Sequence, residues 1–286
     1  MKRCAVALCT LVACGDDGMT EPDAAVGPDG IACTKPALDQ PWVESFTTGI
    51  TAAFPSPRAT LTQRNAARTY LQSQLTQLGL TPLLHSYATG ANVYATLPAT
   101  TTADTRAVIV GAHYDTVMNS PGANDNASGV AAVIGIARYV ADMPCRQHPV
   151  TFILFDEEEV GLVGARAYAN TLTAANVYAV HTVDQVSWDT DSDMRFELEA
   201  PTTSLEAEYR AAAMIVGVPV TKTTTQGTDH EAFRDKGLPA IGLTEEYVGG
   251  DTSPYRHTAQ DTAATVDGGY LAAATKLVAQ VIMSEL

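Results

Sequence analysis

Residues 107–129 read AVIVGAHYDTVMNSPGANDNASG. Ala107 to Gly111 is an apolar, largely β-branched run of strand length. It leads into His113-Tyr114-Asp115. After a loop comes Gly122-Ala123-Asn124-Asp125-Asn126-Ala127-Ser128-Gly129, which opens an apolar segment with helical spacing from Ala127 to Ala141. A strand apolar on both faces has to be covered on both faces, and that is the environment of a parallel sheet in an α/β fold.

The same unit recurs on either side. Asn92 to Leu97, Val150 to Phe155, Val177 to Val183 and Pro239 to Leu243 are further strand candidates. Helices are expected at Leu61 to Leu78, where Gly79 supplies the stop, at Gly161 to Ala169, at Thr203 to Val216, and at the end from about Gly269 to Ser284. This alternation predicts an α/β protein: a three-layer α/β/α sandwich around a central, mostly parallel (mixed) sheet. With 286 residues, 46% of them hydrophobic, the chain can build one large core, assigned to a single domain over residues 41–286. No internal repeat and no Gly-rich phosphate loop interrupts it.

The formal net charge is -15, from 32 acidic and 17 basic side chains. Such a surface repels phosphate backbones, so no nucleic acid is expected as a partner. Lys2 and Arg3 precede an apolar run from Cys4 to Ala13. That run is too short for a membrane-spanning helix, which needs about 20 residues, and it reads as a removable signal over residues 1–14. The ending Leu11-Val12-Ala13-Cys14 resembles the lipobox of bacterial lipoproteins. It implies acylation of Cys14, attachment to a membrane through that lipid, and a place in the bacterial cell envelope, periplasmic or on the outer surface; an ordinary secretory signal cut nearby is the alternative. Residues 15–40, rich in Gly, Pro and Asp, read as a flexible tether. Cys33 and Cys145 then remain in the mature chain, either as one disulfide or as two free thiols.

Ligands of open α/β sheets gather beyond the carboxyl ends of the strands, and the polar clusters fall there. His113 and Asp115 follow one strand and Asp125 the loop after it; Asp156-Glu157-Glu158-Glu159 follow the next, and Asp184 another. Tyr255-Arg256-His257-Thr258-Ala259-Gln260-Asp261-Thr262 lies near the end. Imidazole nitrogen with carboxylate oxygen suits zinc, and a set this acidic can balance two divalent ions. A single His-x-Asp is commonly structural and an acidic triplet is commonly a solvated helix start. The signal is four clusters in this order, each beside a strand end or a helix start.

Together the stretches GAHYDT, GANDNASG, DEEEVGLVGA, TVDQ, TDHEAF with GLPA, and HTAQDT resemble the co-catalytic two-zinc aminopeptidases, the bacterial leucyl-type enzymes related to glutamate carboxypeptidases and glutaminyl cyclases. The resemblance spans Gly111 to Thr262 and implies a zinc-peptidase (phosphorylase/hydrolase-like) architecture. It also implies two Zn2+ per chain, peptide substrates with a free N-terminus, and a monomer. Carried over by position, Asp125 bridges both metals, His113 and Asp184 complete one site, and Glu159 and His257 the other. Asp115 orients His113, and Glu158 is the general base that takes a proton from the attacking water. The Asp125-Asn126 peptide is expected to be cis, and Asn126 replaces an acidic residue of some members. Some members place a tyrosine directly before the last zinc histidine to polarise the substrate carbonyl; here Arg256 stands there, leaving Tyr247 and Tyr255 as candidates. A glutaminyl cyclase, a carboxypeptidase, and an inactive lipoprotein that only binds metal or peptide are the competing functions. Of the remaining histidines, His85 and His148 are expected at the surface, His181 packed in its strand, and His230 supporting the pocket rim with Asp229. Asp189, Asp191 and Asp193 read as a solvated loop rather than a calcium site.

Overall fold

The computed structural model describes residues 37–101 and 104–286. The signal, Cys14, the tether up to residue 36 and Cys33 lie outside the described residues. Helix α1 (Gln40–Ala53) opens the described chain and buries Val43, Thr47, Ile50 and Thr51. Helix α2 (Leu61–Gln77) starts at a capping box: Gln63 N donates to Thr60 Oγ1 and Thr60 N to Gln63 Oε1, so two amides that the first turn would leave unpaired are satisfied. A hairpin of β1 (Leu83–Ser86) and β2 (Ala91–Leu97) leads into β3 (Ala107–His113). A wide turn over residues 123–128 passes into α3 (Gly129–Ala141). Then follow β4 (Val150–Phe155), α4 (Val163–Ala169), β5 (Val177–Val183), β6 (Phe196–Glu199), α5 (Thr203–Val216), β7 (Val220–Thr223), α6 (His230–Arg234), β8 (Ala240–Thr244) and α7 (Gly268–Glu285).

The eight strands form one sheet in the order β1-β2-β4-β3-β5-β8-β6-β7. Its centre, β4-β3-β5-β8, is parallel, whereas β2 joins it antiparallel at one side and β6 at the other. The expected mixed sheet with helices on both faces is therefore observed. Its cause is visible in the alternation of single strands. Val108, Val110 and Ala112 of β3 face one apolar core with α1, α3, α5 and α7, while Ile109 faces a second core with α4 and α6. In β4, Phe152 and Leu154 take the first core, Ile153 and Phe155 the second.

Among the described elements, α1, β1, β6, β7 and α6 were not anticipated. The strands β1, β6 and β7 have only four residues each, too few for a pattern, and α6 is a single turn of five. Three side-chain expectations are refined. His148 is buried rather than superficial: its ring lies 4.1 Å from that of Tyr178 and its Nδ1 3.1 Å from Arg106 O, because residues leading into β4 are tucked beneath the start of β3. His85 is half-buried against the edge of Tyr168. Cys145 is disulfide-bonded, which removes the free-thiol reading for that residue. His181 is packed as expected, bonded to Tyr209 and Glu285 on the α5 and α7 side.

Glu199, the last residue of β6, is buried and accepts one hydrogen bond, from Thr228 Oγ1 at 2.7 Å. Burial pushes its carboxyl up from 4.5 to about 8, with the charges of Asp184 and Glu197 acting in the same direction. Between those two values the folded chain keeps a proton that the unfolded chain has released, so this group's contribution to stability declines as pH rises from about 4.5 to about 8. Glu199→Gln is already neutral and escapes that decline. Thermal unfolding at pH 5 and pH 8.5 should show the variant losing less stability than the parent over this interval; parallel losses in the two proteins would contradict the account.

Candidate metal centre

The parallel strands end together and deliver their next residues to one place. His113 closes β3 and pairs in register with Phe155, the end of β4, so the acidic run 156–159 emerges beside it. Gly111 pairs with Thr182, so Asp184 leaves β5 at the level where His113 leaves β3. Asp125 comes from the wide turn, and His257 from the loop that precedes α7.

The backbone around Asp125 is held from several sides. Its peptide bond to Asn126 is cis, as the resemblance implied. Asn124 N and Asp125 N donate to the two oxygens of Asp261, at 2.7 and 3.0 Å. Asn126 uses both ends of its carboxamide, donating to Val183 O and accepting from Gly129 N, each at 2.8 Å. An ionised acid at position 126 could accept but not donate, so the asparagine fits this setting better. Gly129 is required there: a Cβ would lie 2.4 Å from Val183 O and 2.3 Å from Asn126 Oδ1. Arg58 is buried behind the loop and gives its guanidinium hydrogens to the carbonyls of Tyr114, Pro55, Pro121 and Gly122. Burial lowers its pKa to about 10, against the pull of Asp115, Asp261, Asp125 and Glu159. Neither Arg58 nor Asp261 received a role from the sequence. Asp261 sits inside HTAQDT, which was the available signal; Arg58 had none.

The carboxylate of Asp125 faces two ways. Its Oδ1 is 3.3 Å from His113 Nε2, and its Oδ2 is 3.1 Å from His257 Nε2. His113 Nε2 is also 3.3 Å from Asp184 Oδ1, and His257 Nε2 is 3.1 Å from Glu159 Oε2. All five residues that the sequence nominated as ligands thus converge, in two groups that share Asp125. Glu158 Oε2 stands 3.9 Å from His113 Nε2. Glu157 is turned aside: it has a left-handed φ of 59° and binds Arg64 Nη2 at 2.8 Å and Thr89 Oγ1 at 2.5 Å. Asp115 lies beside His113, its Oδ1 3.5 Å from Nδ1. Its two oxygens accept the amides of Glu158 (3.0 Å) and Glu159 (3.1 Å), fixing both carboxylates relative to the histidine.

The donor set fits cations. Both ring nitrogens of His113, Asp125 Oδ2, Glu159 Oε1 and Asp184 Oδ1 are buried with no donor or acceptor in good hydrogen-bond geometry, while imidazole nitrogens and carboxylate oxygens face one another at 3.1 to 3.3 Å, an arrangement that suits a cation between them. The charge balance agrees. Burial, reinforced by Asp184, Asp229 and Glu159 and opposed by His113, pushes the Glu158 carboxyl up to about 10. Burial would lower the pKa of His113, yet Glu158 and Asp184 raise it well above its ordinary value. The carboxylates of Asp125 and Glu159, each 3.1 Å from its Nε2, lift His257 to about 9. These three shifts are toward taking up a proton, whereas, against the effect of burial, His113 and His257 hold the Asp125 carboxyl well below the usual carboxylate range; bound cations favour the deprotonated form of every one of these groups.

The remaining nominees fall around this centre. Arg256 Nε is 3.4 Å from Asp125 Oδ2, and its guanidinium lies 6.0 Å from the ring of Tyr247. Tyr255 instead turns its ring to Trp188, 5.5 Å away. Asp229 and His230 are buried, with His230 Nδ1 at 2.7 Å from Thr228 Oγ1. The loop carboxylates of Asp189, Asp191 and Asp193 serve local partners, the amides of Met194, Asp193 and Arg195.

Residues 92–282 match the description of peptidase family M28. The chain belongs to that family. Aminopeptidase YwaD of Bacillus subtilis is 30% identical to this M28 chain over 167 residues, which are 54% of this chain and 36% of that protein. The chain spans well under half the length of the curated relatives it matches. The aminopeptidase LapA of Legionella pneumophila superposes with a TM-score of 0.76 at 20% identity, covering 87% of this chain and 71% of LapA. Glutaminyl cyclase of Porphyromonas gingivalis does so with a TM-score of 0.72 at 16% identity, covering 87% and 99%. At these identities the two structures attest the fold, which both activities share.

The double clamp by Asp115 generates a prediction. Asp115→Asn keeps one acceptor oxygen and turns an NH2 toward one of the two amides, so Glu158 and Glu159 lose their common anchor. Zinc affinity, measured by competition with a chromophoric chelator, should fall about 10- to 100-fold. Unchanged affinity would show that the clamp does not position the ligands.

Proposed function

We propose that this M28 chain is a zinc-dependent aminopeptidase that removes N-terminal residues from peptides. Its two Zn2+ would be held by His113, Asp184 and Asp125 on one side and by His257, Glu159 and Asp125 on the other. The observation that carries the reading is the division of the Asp125 carboxylate, one oxygen toward each histidine. Zinc at such a pair of sites lowers the pKa of a water and polarises the scissile carbonyl.

The chain's own groups supply the rest. Glu158 takes the proton released by the attacking water and passes it to the departing amine. Three features support that role: its carboxylate lies beside His113, its backbone is pinned by Asp115, and it lines the same cleft of about 420 Å³ as Glu159, Arg256 and His257. Adjacent carboxylates divide the work because each leaves the backbone in a different direction, and Glu157, engaged by Arg64 and Thr89, is outside it.

Two substitutions separate the roles. Glu158→Gln keeps size but removes the proton acceptor, so the zinc content should stay near that of the parent while turnover of aminoacyl anilides falls about 10²- to 10⁴-fold. Glu159→Gln should lose zinc first, because a neutral amide is a poorer ligand than a carboxylate. Loss of zinc from the Glu158 variant with retention in the Glu159 variant would reverse the assignment. Cyclisation of N-terminal glutamine with no hydrolysis of anilides would replace the peptidase reading by a cyclase.

A further inference from the structure

The two residues that precede Glu158 are held by elements remote from the strand ends. Arg64 and Arg68 stand one turn apart on α2 and so share a face of that helix. Arg64 Nε lies 2.8 Å from Asp156 Oδ1 and its Nη2 2.8 Å from Glu157 Oε1, so one guanidinium spans two consecutive carboxylates. Its Nη1 donates to Ala59 O at 2.8 Å, which ties that guanidinium to the chain just before α2. Arg68 takes the other oxygen of Asp156 at 2.6 Å. The turn between β1 and β2 closes on the same pair: Thr89 Oγ1 donates to Glu157 Oε2 at 2.5 Å, and the Tyr87 hydroxyl to Asp156 O at 3.0 Å. Gly90 is required in that turn, because a Cβ there would lie 2.6 Å from Asp156 Oδ2. The side chains of Arg64, Asp156 and Glu157 are 12%, 0% and 9% exposed, so solvent and salt screen these pairs far less than they would a surface pair.

What this grip fixes is a backbone torsion. Glu157 has a left-handed φ of 59°, which a residue with a side chain holds only when its surroundings impose it. Both of its carboxylate oxygens are engaged, and its carbonyl accepts Val163 N at 3.0 Å. A left-handed residue turns the chain sharply, so the side chain that follows leaves in a direction that an extended residue 157 would not give it. That side chain is Glu158, whose Oε2 stands 3.9 Å from His113 Nε2. Asp115 fixes where the Glu158 amide lies. The clamp on Glu157 fixes the turn that leads into it.

We infer that Arg64 is a positioning residue for the reaction: acting through Glu157, with Thr89 as the second holder, it keeps residue 157 left-handed and thereby aims the Glu158 carboxylate at the attacking water beside His113. This assignment rests on the peptidase reading above, in which Glu158 is the base. Within the run 156–159, two acids then serve geometry and two serve chemistry. Helix α2 and the β1–β2 turn, which contribute none of the five metal-ligand candidates, set the direction of the proton acceptor.

The test compares the full chain with Arg64→Met, Arg64→Lys and Glu157→Gly on aminoacyl anilides. Arg64→Met should lower kcat about 10- to 100-fold, the cost of a misdirected group, with KM within about twofold of the parent and zinc content unchanged. Arg64→Lys, which can reach only one of the two carboxylates, should fall between them. Glu157→Gly removes the handle, yet glycine adopts a left-handed φ without strain. It should lose rate like Arg64→Met, and it carries the same test if Arg64→Met does not fold. The decisive measurement places Arg64→Met in the Glu158→Gln background. With no base left to aim, kcat should fall no further, whereas damage unrelated to Glu158 would multiply the two losses. A crystal structure of Arg64→Met should show residue 157 out of the left-handed region and the Glu158 carboxylate displaced from His113. An Arg64→Met or Glu157→Gly enzyme within about twofold of the parent kcat, loss of zinc along with rate, or multiplied losses in the double variant overturns the assignment. A parent that binds zinc but leaves the anilides intact overturns the peptidase reading; the crystal structure then still decides whether Arg64 aims Glu158, and an undisplaced Glu158 overturns that too.

Discussion

The carboxylate of Asp125 is buried, negatively charged and required to face two histidines at once, and much of the surrounding structure answers to that demand. A charge taken out of water is costly unless partners surround it. Here the partners are arranged around a backbone that cannot shift. Asp261 takes the backbone amides of Asn124 and Asp125, Asn126 ties the next residue to the end of β5, and Gly129 lets that strand approach within reach. Arg58 anchors the preceding loop from beneath. Moving any one of these would rotate the carboxylate away from one of its two histidines.

The sheet supplies the other half of the arrangement by register alone. Because β4, β3 and β5 are adjacent and parallel, their carboxyl ends lie side by side, and the residues just beyond them meet without long loops. Asp115, two residues past the end of β3, reaches across to the amides of Glu158 and Glu159 and so couples the geometry of neighbouring strand ends. One consequence is a division of labour along a single acidic run. Glu157 is drawn off by Arg64, Glu159 faces His257, and Glu158 is left beside His113 and open to the cleft.

Much of this was legible before any coordinates. Buried strands such as Val150–Phe155 and Val177–Val183 stand out because their residues are mostly apolar, and three of the ligand candidates, His113, Glu159 and Asp184, stand out because each comes just after such a run. What stayed hidden depended on contacts across long stretches of chain. Three of the four carbonyls that hold Arg58 are 56 to 64 residues away, and the amides that hold Asp261 are 136 and 137 residues away. The short strands β1, β6 and β7 exist because the sheet offers them an edge, not because four residues declare a period. His148, expected at the surface, is buried because the chain folds back under Arg106. The place before His257 carried Arg256 where relatives can carry a tyrosine, and only the structure distinguishes its contact with Asp125 from the outward packing of Tyr255 on Trp188.

The central claim is that one carboxylate serves two cations. It is tested most directly by anomalous diffraction, recorded on either side of the zinc absorption edge, from crystals grown with zinc. The account predicts two zinc peaks of comparable height, one beside each oxygen of Asp125, with His113 and Asp184 around the first and His257 and Glu159 around the second. A single peak, or two peaks of which Asp125 touches only one, would contradict it.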